Sequence, residues 1–371
     1  MPFDPALVHR AALAVPVLAE HAAETERLGR PTEESRAAAL RAGAYALTTP
    51  RRFGGEEASL ETIVAVLAEL GRGCASTAWT AATSVEAQRF FGPLFTEEQA
   101  AMVYADPDLQ LAGAGAPPGT AVIRGDHAVV TGRWNYATGI DDASWALIGG
   151  TLLEDGQAVG FGAVLARKDD LRIERTWHVA GLQGTGSHTV VATDLEVPMA
   201  DIVRIPLDAN GAPDIGDRPY AFLTNPLVLL GPMVGAVRGA IDLIAERLPV
   251  KSLPRSRQSL AETPEARLVF AQAVAAHADA ERTVRSLAAL IDAGSTTPDA
   301  AELAAHRYGL AEAGRSLRRA MDLLLDLGGT SVFRDEDPVQ RIWRDVSVGT
   351  RHATLHPIVA AAGYADALVA H

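Results

Sequence analysis

His127-Ala128-Val129-Val130-Thr131-Gly132-Arg133-Trp134-Asn135-Tyr136 decides the architecture of this 371-residue chain, because an alternating stretch here follows a hundred residues of helical spacing. Alternation sets Val130, Trp134 and Tyr136 on one face and Val129, Thr131 and Arg133 on the other, the pattern of a half-buried strand. The runs 145–149, 159–165, 171–177 and 189–197 share its Val-, Thr- and Ile-rich texture, and Gly113, Gly115, Pro117, Pro118 and Gly119 read as a turn-rich entry. Short strands at such intervals predict an antiparallel barrel or sandwich.

On either side the period changes. Upstream, Leu60, Ile63, Val64, Leu67 and Leu70 recur every three to four residues, one buried helical face; Thr32 opens another helix, and Pro50 with Gly54-Gly55 breaks the pattern. Downstream of a polar linker at 206–219, four long helical stretches follow at about 225–248, 264–293, 298–327 and 338–370. The expected fold is α+β: an N-terminal helical domain (1–108), a middle β domain (109–205) and a C-terminal four-helix bundle (219–371).

Composition excludes several classes. With 48% hydrophobic and 21% charged residues the chain is not disordered. A net charge of −13 repels phosphate backbones and anionic lipid, so nucleic acid is not an expected partner. One cysteine, Cys74, permits neither an intrachain disulfide nor a thiolate metal cluster and fits a reducing, cytoplasmic setting. No signal peptide is legible at the N-terminus, and the longest apolar stretch, 227–244, is interrupted by Pro232, Arg238 and Asp242, so no membrane span is expected.

The chemistry-bearing residues are sparse. His352 and His356 stand at i, i+4, which on a helix shares a face, but no Glu or third ligand accompanies them and no metal is expected. There is no G-x-G-x-x-G between strand and helix and no P-loop. Gly181-Leu182-Gln183-Gly184-Thr185-Gly186-Ser187-His188 lies between predicted strands; it is a β-turn, or a loop whose N–H groups and Thr185 and Ser187 hydroxyls serve a polar ring edge or a phosphate. Gly328-Gly329 has the same ambiguity. Cys74 has no neighbouring His and reads as inert.

Four segments in order add a resemblance over nearly the whole chain: Gly71-Arg72-Gly73-Cys74-Ala75-Ser76-Thr77-Ala78-Trp79, then Gly132-Arg133-Trp134-Asn135-Tyr136-Ala137-Thr138-Gly139, then 177–188, then Arg341-Ile342-Trp343-Arg344-Asp345 through His352. With the helix–strand–helix order, they resemble the acyl-CoA dehydrogenase fold and, within it, the group D two-component flavin-dependent monooxygenases. The dehydrogenases usually carry a catalytic Glu in an E-G-T segment after the R-D pair. Here Arg344-Asp345 leads to Arg351-His352-Ala353-Thr354, with no Asp or Glu between Val346 and Tyr364, whereas the monooxygenases are similar in placing a His there.

The resemblance implies roles. The strand 134–139 (Trp134, Asn135, Tyr136, Ala137, Gly139) would pack on the isoalloxazine of FMN or FAD, with Thr138 hydrogen-bonding flavin N5 and holding a C4a-hydroperoxide. Thr185, Gly186 and Ser187 would line the pyrimidine or phosphate side, and Arg255 would meet phosphate. Gly328 and Gly329 would lie beside a neighbouring subunit's cofactor in a homotetramer. His352, then His356, would act as general base, since an imidazole accepts a proton near neutral pH; Trp79 and Ser84 would stand on the substrate wall. The implied activity is oxygenation of a small organic substrate, aromatic, amino-sugar or secondary-metabolite, by O₂ and reduced flavin from a separate reductase. The alternatives are a dehydrogenase of acyl thioesters with its Glu elsewhere and a flavin-less scaffold.

Overall fold

Capping residues place the first helices. Side chains of Asp4 and Thr32 accept backbone N–H groups at the starts of α1 (Pro5–Glu20) and α3 (Glu33–Arg41), and α2 (Ala22–Leu28) stops at left-handed Gly29. Ser59 caps α4 (Leu60–Gly73), and the five apolar residues that predict its buried face are all buried. After Cys74, which ends α4 and opens α5 (Ala75–Phe91), the chain runs through a helix buried on nearly every side. A capping box at Thr96 and Gln99 starts α6 (Glu97–Val103). The computed structural model describes residues 1–106, 108–205, 218–253, 257–294 and 297–369, and of 115–118 the backbone alone. Arg255 and most of the 206–219 linker lie outside the described residues.

Among the described residues seven strands follow: β1 (Leu111–Arg124), β2 (His127–Ala137), β3 (Trp145–Glu154), β4 (Gln157–Arg167), β5 (Arg172–Glu174), β6 (His188–Pro198) and β7 (Ile202–Ile205). They form one sheet in the order β5-β6-β2-β1-β3-β4-β7. Pairing is antiparallel except that β1 and β3 run parallel, so the sheet is mixed. The glycines and prolines expected to form an entry turn lie within β1, where they appear as a register shift between Ala114 and Gly119. One face, including Val130, Trp134, Ile148 and Val190, packs on itself; the other, including Leu111, Trp145 and Leu165, covers α5 and α6.

The decisive strand departs from simple alternation. Trp134 is fully buried, whereas Tyr136 sits at φ 65° in a register irregularity between Trp134 and Ala137 and is 65% exposed. That left-handed residue rotates the end of β2, so Tyr136 leaves the face it would share with Trp134.

Helices α7 (Ala221–Arg247), α8 (Pro264–Ala293) and α9 (Ala300–Gly328) have the predicted long form. By length and composition α7 is apolar enough to cross a membrane, but 83% of its apolar window is buried inside the fold. Gly231, Gly235 and Gly239 repeat every four residues along it and bring its backbone against α4. A Cβ on Gly235 would stand 1.7 Å from the Ala68 carbonyl oxygen. The fourth predicted helix is two: α10 (Pro338–Gly349) and α11 (Pro357–Val369), with a 3₁₀ turn at Ala353–Leu355 between them. Pro357 excludes His356 from the helical region, and His356 has φ −65° and ψ 113°. His352 and His356 therefore share no helical face.

Candidate active site

The break between α10 and α11 opens on a cavity of about 740 Å³, the size of a small-molecule site. Its walls come from α5 (Trp79, Thr83, Glu86, Phe90), the sheet (Tyr136, Thr138, Leu147, Phe161), the 177–188 loop (Trp177, Leu182, Ser187), α7 (Phe222, Asn225, Leu229) and the segment 348–356 (His352, Thr354, His356). Among the described residues no group of three or more His, Cys, Asp or Glu is gathered to hold a metal.

His352 is held by local chain geometry. α10 ends where Thr350 turns its hydroxyl back to the Val346 carbonyl at 2.6 Å, and Arg318 donates to the Thr350 carbonyl at 3.1 Å. Gly349 lets α10 approach closely, since a Cβ there would lie 2.4 Å from Met233 Sδ and 3.1 Å from the Trp79 ring. The imidazole meets Trp79 edge to face, ring centres 5.9 Å apart. Its Nδ1 is 2.9 Å from Thr354 Oγ1, which donates its single proton to Asn225 Oδ1 at 3.0 Å. The ring is held through Nδ1, which the Thr354 N–H also meets at 3.4 Å. Burial pushes the His352 pKa below its ordinary value and keeps the ring neutral.

A hydroxyl chain enters from the sheet side. Thr185 Oγ1 donates to the Leu182 carbonyl at 2.8 Å, Ser187 Oγ lies 2.8 Å from Thr185 Oγ1, and Thr138 Oγ1 lies 2.8 Å from Ser187 Oγ. One proton per hydroxyl makes the chain run one way, Thr138 to Ser187 to Thr185 to Leu182. Thr138 thus offers the cavity lone pairs rather than a proton. Left-handed Leu182 (φ 55°) and Gly186 (φ 52°) bracket the 3₁₀ turn that places Thr185, and Gly139 N–H joins it at the Thr185 carbonyl, 2.9 Å.

The same loop is fastened to α10. Asp345 Oδ1 accepts Leu182 N–H at 2.6 Å, and Arg344 donates to the Ala180 carbonyl at 2.7 Å and to Glu26 at 2.5 Å. Burial pushes the Asp345 carboxyl up to about 7. One helix therefore fixes both the loop bearing Thr185 and Ser187 and, beyond its end, His352.

The acyl-CoA dehydrogenase N-terminal domain profile matches residues 10–100, and the C-terminal domain profile matches 227–357. The FADH(2)-dependent resorcinol hydroxylase oxygenase component of Rhizobium sp. is 31% identical over 94% of this chain and 90% of its own length. The chain belongs to the flavin-dependent monooxygenases of the acyl-CoA dehydrogenase fold. A second member of these monooxygenases, the oxygenase subunit HsaA of Rhodococcus jostii, is 29% identical over 92% of this chain and 93% of its own. The solved structure of XiaF from Streptomyces sp. in complex with FADH2 and glycerol superposes with a TM-score of 0.90 at 28% identity, covering 98% of this chain and 95% of that one.

Against that family pattern the predicted residues separate. His352, His356, Thr138, Ser187, Tyr136 and Trp79 line the cavity. Trp134 does not: it lies inside the sheet against Gly119 and Gly132, whose lack of a Cβ leaves room for its ring, with its Nε1–H on the Gly149 carbonyl at 2.6 Å. Ser84 is also structural, accepting Leu111 N–H at 2.9 Å to tie α5 to β1. Asn135 bridges Arg133 and Thr189, Ala137 sits in the sheet core, and Gly139, Thr185 and Gly186 support the lining from behind. Gly328 and Gly329 are at the far end of α9, beside Lys251 and outside this cavity's wall.

Glu86, Asn225 and Thr354 were not singled out from sequence. Glu86 had a signal: it is the sole acidic residue between 75 and 96. Asn225 and Thr354 meet across 129 positions, which no local pattern encodes.

Proposed function

We propose that this chain is the oxygenase component of a two-component system that takes reduced FMN or FAD from a separate reductase and, with O₂, oxygenates a small aromatic molecule. The observation that carries this reading is the pairing, in one apolar cavity, of a neutral His352 held through Nδ1 with a hydroxyl chain that ends in an acceptor at Thr138. Reduced flavin has an N–H at N5 and suits that acceptor, so the donor set fits the group. Thr138, backed by Ser187 and Thr185, would hold the ring edge, and Tyr136 and Trp177, in edge contact at 6.0 Å, would flank it. When bound, the flavin supplies the electrons and activates O₂. The protein orients the substrate, excludes water with its aromatic lining and removes the substrate proton at His352 Nε2.

The regions 1–108, 109–205 and 219–371 would work as one cytoplasmic unit within a homotetramer, with Gly328 and Gly329 beside a neighbouring subunit's cofactor. Exposed apolar side chains on α8 (Leu268, Val274, Leu290) and α11 (Ile358, Val359, Leu368) support association. The test mixes the protein with reduced FMN or FAD, oxygen and a panel of phenols. The intact chain should form oxygenated product, while His352→Ala should still consume reduced flavin but release hydrogen peroxide. Equal product formation by the variant removes His352 from the reaction.

A further inference from the structure

Glu86 is the one carboxyl group among the described residues lining the cavity. It stands on the α5 face that also presents Trp79, seven residues earlier; at ~1.5 Å per residue the two are roughly 10 Å apart along the helix. Trp79 lies against His352, so Glu86 lines the wall about two turns of α5 away from that contact.

The carboxyl is 4% exposed and one oxygen lies 2.9 Å from Thr224 Oγ1. Thr224 Oγ1 also lies 2.8 Å from the Ala221 carbonyl, which can only accept. Thr224 donates to this Glu86 oxygen and shares its proton with the Ala221 carbonyl. Burial pushes the Glu86 pKa up to about 8, against the weaker opposing pulls of the Thr224 hydrogen bond, Arg89 and Arg218. The second oxygen, Oε2, is buried with no hydrogen-bond partner. A buried acceptor left unpaired is costly, and a cavity ligand that pairs it recovers that cost.

We propose that Glu86 is the specificity-determining residue of this cavity, its unpaired oxygen accepting a hydrogen bond from an aromatic hydroxyl at the end of the substrate remote from His352. The proposal rests on the cavity being the substrate site of the oxygenase described above. Phe90 and Phe222, with ring centres 6.0 Å apart beside Glu86's stretch of the wall, supply aromatic surface for the ring that bears the hydroxyl.

Equilibrium dialysis of flavin-free protein with 2-naphthol and with 2-methoxynaphthalene tests it, since the two differ in the donor. The intact chain should bind the naphthol about 10- to 100-fold more tightly, the equivalent of one buried acceptor satisfied. Glu86→Leu should bring the two affinities together. Glu86→Gln should keep the preference, because its amide N–H can serve Thr224 while its carbonyl faces the cavity. Equal affinities in the intact chain, no binding of either compound, a preference that survives in Glu86→Leu, or its loss in Glu86→Gln would each overturn the proposal. Thermal midpoints of both variants are measured alongside, and a Glu86→Leu chain that does not fold leaves the decision with the intact chain and Glu86→Gln. Binding of reduced FMN under anaerobic conditions to the same preparations is a separate readout: its absence sinks the oxygenase reading and leaves the naphthol preference standing.

Discussion

Gly181→Ala is the most demanding test of how the site is held. Gly181 crosses α10 so closely that a Cβ would stand 2.2 Å from the Arg344 carbonyl oxygen, 2.3 Å from its carbon and 2.7 Å from Asp345 N. All three are backbone atoms in a helix, so relief requires the loop or α10 to move by roughly 1 Å, and overpacking of this kind costs about 1–3 kcal/mol. The shift also strains the bonds on either side, Leu182 N–H to Asp345 and Arg344 to the Ala180 carbonyl, each charge-assisted. Losing one leaves a buried group unpaired at about 1–3 kcal/mol, so the total should be about 2–6 kcal/mol. Because Thr185 and Ser187 ride on the same loop, affinity for reduced FMN should fall as well. The assay is chemical denaturation followed by circular dichroism, with a parallel anaerobic titration of reduced FMN. Gly363→Ala is the control: nothing lies within 4 Å of its Cβ and it is inside α11, so it should leave stability unchanged or raise it by up to about 1 kcal/mol. Gly181→Ala behaving like the control in both measurements would refute the account of a loop seated on α10.

Two further outcomes follow from the buried polar groups. Thr354→Val removes the hydroxyl partner of His352 Nδ1 while keeping the side-chain shape, and oxygenation should slow by about tenfold to a hundredfold with reduced-flavin affinity unchanged; Thr354→Ser should restore the rate. A Val variant with full activity would show that Thr354 does not orient the ring. The second concerns pH. Burial raises the Glu86 pKa from 4.5 to about 8, so its contribution to stability is complete below pH 4.5 and is lost as pH rises through about 8. At about 1.4 kcal/mol per pH unit the full span is of order 5 kcal/mol. Glu86→Gln should therefore gain on the intact chain as pH climbs from 5 to 8, whereas parallel stability curves would mean that Glu86 ionises as freely in the fold as outside it.

Much of this was legible from residues alone. Apolar spacing at Leu60, Ile63, Val64, Leu67 and Leu70, the cap at Thr32 and the alternation after His127 depend on neighbours within a turn or a pleat, and they appear in the structure, the alternation as far as Trp134. The absence of a carboxylate between Val346 and Tyr364, with His352 in its place, favoured the monooxygenases and left the dehydrogenases as an alternative. Tertiary structure decided what distant segments do to one another. Trp134 and Tyr136 sit two residues apart in the expected motif, yet the left-handed turn at Tyr136 buries one in the sheet and brings the other to the cavity. Pro357 split a helix that composition alone would continue, and so gave His352 its partner Thr354. Glu86 meets its partner Thr224 across 138 positions, through the packing of α7 against α5. Sequence by itself determined most of the elements, because those follow from local periodicity, and the resemblance of four segments pointed to the family. Which groups are charged, paired or left facing the cavity was set only when long-range packing removed water from them.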